Sequence, residues 1–186
     1  LRGLHDTKLV EALGAKFEIH PLVLEDAVST HQRPKFEEYD QGLFIICRAL
    51  SFEKASMEIK TEQVAIFFKK GLLLSFQEDD TDLFSSVRER LLTGKGRIRQ
   101  RGVDYLAYAL LDNIVDHYFL VFDEVEGEIE GVESLLLENP DGTIKQRIHK
   151  LKKELIVARK SISPLREAIS QFSKSESALI EERTTI

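Results

Sequence analysis

Two apolar stripes at helical spacing constrain this chain more than any other feature. Leu106, Leu110, Ile114, Tyr118, Val121, Val125, Ile129, Val132 and Leu136 recur at steps of three and four, which gathers them on one helix face. Ile144, Ile148, Leu151, Leu155, Ala158, Ile162, Leu165, Ile169 and Phe172 form a second stripe in the same rhythm. Asn139-Pro140-Asp141-Gly142 separates the two, and Thr143 with Gln146 matches a capping box at the start of the second. At 1.5 Å per residue the helices are roughly 50 and 45 Å long, so they are expected to project as an antiparallel pair. Pro164 removes one backbone hydrogen bond from the second helix; the seam runs on past it, which predicts a kink and not a stop.

The residues before this pair read as a smaller α/β unit. Asp6 is placed to cap a short helix carrying Leu9, Val10 and Leu13, with Gly14 at its left-handed end. A second short helix starts at Pro21, and His20 before it fixes the turn through a backbone hydrogen bond. Leu43 to Phe52, Glu62 to Lys69 and Leu72 to Phe76 are rich in Ile, Phe, Val and Leu and read as strands. Short turns at Lys69-Lys70-Gly71 and Glu53 to Ser56 make an antiparallel or mixed sheet the expectation. Asp80 to Asp82 offers caps for a helix through Val87 and Leu91 that stops near Gly94.

With 186 residues and 42% hydrophobic content the chain can bury a full core. It opens on Leu1 and its only methionine is Met57, so it reads as a piece of a longer product. No run of about 18 apolar residues is present to span a bilayer; Asp112, Asp116 and His117 interrupt the best stretch, Tyr105 to Phe122. The single cysteine, Cys47, lies in an apolar run and reads as a core residue. The net charge of −6 argues against a nucleic-acid ligand and for attraction of cations.

No nucleophile elbow, His-Glu-x-x-His pair, Walker loop or dinucleotide fingerprint occurs, so an enzyme is the least supported class. Glu78-Asp79-Asp80-Thr81-Asp82 lacks the Gly and the Glu of a calcium loop, and the five histidines show no metal-ligand spacing. Lys95, Arg97, Arg99 and Arg101 read as a solvated basic surface. Asp123, Glu124, Glu126, Glu128, Glu130, Glu133, Glu138 and Asp141 face a basic block of Lys145, Arg147, Lys150, Lys152 and Lys153, which predicts neutralisation across the hairpin. Gly127 and Gly131 suggest close packing or flexibility there.

An ordered set of motifs carries a family resemblance. Gly3-Leu4-His5-Asp6, Phe17-Glu18-Ile19-His20-Pro21-Leu22-Val23-Leu24-Glu25-Asp26 and His31-Gln32-Arg33-Pro34-Lys35 resemble the N-terminal cytoplasmic domain of CorA-type magnesium and cobalt transporters. Glu62-Gln63-Val64, Phe76-Gln77-Glu78, Val87-Arg88-Glu89-Arg90, Asp104-Tyr105-Leu106 and Pro164-Leu165-Arg166-Glu167 follow in order. The resemblance implies an α/β fold, a three-layer domain with a mixed, largely antiparallel sheet plus a long antiparallel helical hairpin. On that template residues 1–101 form the α/β part, 102–173 the helix pair, and 174–186 the start of a stalk helix toward membrane segments outside this sequence.

The same resemblance implies a homopentamer in the full-length protein, lying on the cytoplasmic side of the plasma membrane. It implies regulatory Mg²⁺ sites between subunits, with Co²⁺ or Ca²⁺ able to take its place. Carried over by motif, Glu25 and Asp26 match the acidic pair after His-Pro-Leu, and Asp112 an acidic position on the first long helix. Carboxylates suit Mg²⁺, a hard ion held by few protein oxygens. A zinc-transporting relative on the same scaffold and a stand-alone interaction protein are the competing readings.

Overall fold

The computed structural model describes residues 1–138, 142–181 and 183–184. Two short helices, α1 (Thr7–Phe17) and α2 (Pro21–Val28), precede four strands, β1 (Lys35–Tyr39), β2 (Gly42–Glu53), β3 (Glu58–Lys69) and β4 (Leu72–Gln77). Helices α3 (Ser85–Thr93), α4 (Val103–Glu138) and α5 (Gly142–Lys174) complete the described elements. The sheet order is β1-β2-β3-β4 with every pair antiparallel. An isolated parallel bridge from Arg2 to Gln77 adds the only mixed character among the described residues.

Alternation along the central strands creates two cores. Phe44, Ile46, Ala65, Phe67 and Phe76 point to one face and pack with Val10, Ile19, Val23 and Ala27 of the α1/α2 region. Leu43, Ile45, Cys47, Val64, Ile66 and Phe68 point to the other and pack with Val87, Leu110, Ile114, Leu165 and Phe172. The sheet is thus the middle of three layers, as the resemblance implies. Residues 1–101 and 102–173 share the second of these cores.

Several local expectations change. Strand β1 escapes the sequence pattern because Phe36 alone of its five residues is buried. Helix α1 runs through Gly14 and ends at Glu18, whose φ of 50° supplies the left-handed cap. Gly14 serves close approach instead. Helix α3 has Phe84 at its N-cap position with no side-chain cap; Asp82 receives Arg88 at 2.7 Å and lies 3.8 Å from Arg2. Gly94, at φ 68°, ends α3 as expected.

The long helices lie along the sheet more than they project from it. Glu154 of α5 accepts the Ile59 N–H of β3 at 2.7 Å, and Lys150 reaches Glu58 at 2.9 Å. Pro164 sits inside a continuous α5. The seam closes at Ile114, Val125, Val132, Leu151, Ala158 and Leu165, whereas Leu136, Ile148 and Leu155 stay exposed. The residues between α4 and α5 assigned to the turn, 139–141, lie outside the described residues, and Thr143 falls within α5 rather than before it. Charge neutralisation across the hairpin is sparse: among the described residues Arg147–Glu128, at 3.1 Å, is the ion pair that joins the two helices. Around Gly127 and Gly131 a Cβ would meet nothing, so close packing is not their reason. The basic stretch is not simply solvated either. Arg99 donates to the carbonyls of Leu91 and Leu92, closing the end of α3, and Arg101 lies over the Tyr105 ring. Beyond α5 the described residues up to 181 run in turns, tied back where the Glu181 N–H donates to Asp104 at 3.0 Å.

Candidate functional site

The Glu25-Asp26 pair sits on α2, whose start is fixed locally. His20 Nδ1 accepts the Leu22 N–H at 3.2 Å, Pro21 takes the first helical position, and the His20 ring lies 5.2 Å from that of Tyr39. Val23 and Ala27 turn into the core, which leaves Glu25 on the exposed face and Asp26 at its margin.

Polar side chains from the sheet hold the other end of α2. Gln63, fully buried on β3, donates to the Asp26 and Ala27 carbonyls at 3.1 and 3.4 Å. Arg48, opposite it on β2, donates to the carbonyls of Thr30 and Gln32 at 2.8 and 3.0 Å. The carbonyls at a helix end lack helical partners, and these donors supply them. Neither residue emerges from sequence reading as a site residue. Their signal is a polar side chain inside an otherwise apolar strand run.

The Asp26 carboxylate has both oxygens engaged. Gln32 Nε2 donates to Oδ1 at 2.8 Å and Lys35 Nζ to Oδ2 at 2.7 Å. Lys35 also reaches Glu37 at 2.8 Å, and Tyr39 donates its hydroxyl to the other Glu37 oxygen at 2.8 Å. Burial works against the Lys35 charge, but hydrogen bonds to Asp26 and Glu37 prevail and hold its pKa above the ordinary lysine value. Burial and the bond to Glu37 push the Tyr39 hydroxyl up to about 12. By contrast, the Glu25 carboxylate is exposed and makes no hydrogen bond or ion pair among the described residues.

Asp112 is exposed on α4 and accepts the Tyr108 hydroxyl at 3.4 Å. Burial and the Asp112 charge raise the Tyr108 pKa. Helix α4 packs on the sheet face opposite α2, so the fold does not bring Asp112 together with Glu25 and Asp26. Among the described residues no group of three His, Cys, Asp or Glu side chains is placed to hold a metal. Carboxylate oxygens nevertheless fit Mg²⁺, which keeps most of its water and needs only one or two protein ligands.

A second polar cleft is lined by Lys60, Glu62, Asp79, Thr81, Asp82 and His117. Glu62 is 9% exposed there and accepts the Thr81 hydroxyl at 3.0 Å and the Asp79 N–H at 3.2 Å. Burial raises its pKa, against the pull of those two donors. Among the described residues no helix is long and apolar enough to cross a membrane.

Residues 4–185 match the family described as CorA-like Mg²⁺ transporter protein. The cobalt/magnesium transport protein CorA of Thermotoga maritima is 41% identical over 184 residues, covering 99% of this chain and 52% of its own length. A putative metal ion transporter of Bacillus subtilis, YfjQ, is 30% identical over 153 residues, covering 82% of this chain and 46% of its own length. The chain thus spans about half the length of these relatives. The soluble domain of CorA from Methanocaldococcus jannaschii superposes with a TM-score of 0.81 at 24% identity, over 96% of this chain and 70% of that one. The ZntB cytoplasmic domain of Vibrio parahaemolyticus shares the fold at a TM-score of 0.73 and 20% identity, over 91% and 66% of the two chains. A match spanning nearly all of this chain, on a fold with the same three layers, establishes that it belongs to the CorA-like Mg²⁺ transporter family.

Proposed function

We propose that this chain is the cytoplasmic regulatory and assembly part of a transporter that moves Mg²⁺, and Co²⁺ as a second cargo, and that senses intracellular Mg²⁺ through carboxylates shared between subunits. The observation that carries the reading is the 41% identity to the Thermotoga maritima protein along 99% of this chain. The placement of the acidic residues supports the sensing part. Glu25 and Asp26 lie on one side of the sheet and Asp112 on the other, so an ion held by both sets must bridge two copies.

In a pentamer, five chains at −6 bring together a charge of about −30. Bound Mg²⁺ offsets that repulsion and holds neighbours together; its loss at low cytosolic Mg²⁺ loosens the interface and favours an open pore. Residues 1–173 then form the sensor, and residues 174–186 lead toward the stalk.

Flux assays with the full-length protein in vesicles test the cargo. Mg²⁺ and Co²⁺ uptake is expected, and zinc transport without Mg²⁺ flux replaces this reading by the zinc one. Protease resistance of the full-length protein across a Mg²⁺ titration tests the sensing. Asp26→Ala is expected to weaken the protection, and unchanged protection removes Asp26 from the site.

A further inference from the structure

Lys35 occupies the place at Asp26 where a divalent cation would bind. Its ammonium is bracketed by two carboxylates from different elements, Asp26 on α2 at 2.7 Å and Glu37 on β1 at 2.8 Å. The side chains of Lys35 and Asp26 are only 29% and 20% exposed, so the pair is partly withdrawn from water. Glu37 is itself oriented by the Tyr39 hydroxyl, and Gln32 fills the second Asp26 oxygen. The arrangement is a cation site whose cation belongs to the chain.

We propose that Lys35 is a tethered competitor for Asp26, and that it sets the Mg²⁺ concentration at which the sensor fills. The inference rests on the reading above that Asp26 takes the ion. An ammonium on a flexible four-carbon stem is a compact point charge that can leave and rehydrate. Mg²⁺ brings twice the charge but gives up water reluctantly. A group tied close to its partner acts at an effective concentration of about millimolar. Mg²⁺ therefore reaches Asp26 only where its own concentration competes with the tether. Glu37 receives the displaced ammonium and keeps it within reach.

The full-length protein in detergent, titrated with MgCl₂, provides the test. Half-maximal protection from proteolysis is the readout, with melting in EDTA as the control for folding. Lys35→Gln is expected to lower the Mg²⁺ midpoint about tenfold, and Lys35→Arg, which keeps the charge, to leave it within about twofold. Asp26→Asn is expected to raise it. A raised midpoint in Asp26→Asn with no change in Lys35→Gln overturns the competition while the Asp26 site stands. An unchanged midpoint in Asp26→Asn overturns the site and the competition with it. If Lys35→Gln melts below the assay temperature in EDTA, the competition requires Mg²⁺ to raise its melting point by more than it raises the wild type's; an equal or smaller rise overturns it.

Discussion

Gly14 of α1 faces Leu24 of α2 so closely that a Cβ on Gly14 would come within 2.1 Å of Leu24 Cδ1. Gly14→Ala gains about 1 kcal/mol of helix propensity and still lowers stability by about 1 to 2 kcal/mol, because the contact must open. Gly127→Ala and Gly131→Ala meet open space and each raises stability by about 0.5 to 1 kcal/mol. Urea denaturation of the three variants checks this; a Gly14→Ala as stable as the wild type refutes the close-packing role.

The Gly14 result shows where sequence reading stops. A glycine near a helix end serves a left-handed turn or a close approach, and the string alone does not choose. Long periodic patterns did better: both stripes became α4 and α5, and the three apolar runs became β2, β3 and β4. Strand β1 was illegible because an edge strand with one buried side chain carries no alternation to read. The Glu25-Asp26 motif was visible, but its neighbours were not. That Arg48 and Gln63 stand side by side follows from the β2–β3 register, a non-local fact. The partners of Asp26 lie six and nine residues away around a turn, and their contacts depend on where β1 begins.

Gln63 is the strongest test of how the sheet holds α2. It has no exposed surface, and its amide donates to two helix-end carbonyls, those of Asp26 and Ala27. Gln63→Leu keeps the volume and removes both bonds, leaving buried acceptors unpaired at a cost of about 1 to 3 kcal/mol. Hydrogen exchange should show the amides of α2 losing protection ahead of those of β2 and β3. Uniform loss across the domain refutes a local role.

Glu62 predicts a pH dependence. Its folded pKa lies above the unfolded value because burial disfavours the charge. The folded state therefore binds this proton more tightly, and that contribution is complete below the unfolded carboxylate range and lost as pH rises through the folded pKa. Glu62→Gln removes the dependence at this position. Relative to the wild type, the variant is expected to gain stability between pH 4 and pH 7 in denaturant titrations. Parallel curves for the two proteins contradict the assignment.

Cys47 should be chemically silent while the sheet is intact. It is fully buried, its thiol donates to the Val64 carbonyl at 3.4 Å, and burial pushes its pKa up to about 12. Only the thiolate reacts. Iodoacetamide labelling at pH 8 should be at least about a thousandfold slower in the native protein than in urea, on thiolate population alone. A comparable native rate places the thiol in solvent and contradicts the core packing of β2.

Two neighbouring contacts tie α5 to the β2–β3 hairpin, and they should differ sharply in worth. Glu154 accepts the N–H of Ile59, a 7% exposed residue, at 2.7 Å. Lys150 meets Glu58 at a similar distance, 2.9 Å, but both side chains reach water. A charge-assisted bond to a backbone donor at a buried position counts because its removal strands that donor. An exposed ion pair counts little, since water solvates each partner when the other is gone. Glu154→Ala is therefore expected to cost about 1 to 2 kcal/mol, whereas Lys150→Ala should leave the urea midpoint unchanged within error. Raising the salt concentration should shift neither result, because an N–H acceptor contact is barely screened and the ion pair contributes nothing to screen. Equal losses in the two variants mean that the helix, and not the stranded N–H, governs this end of the sheet.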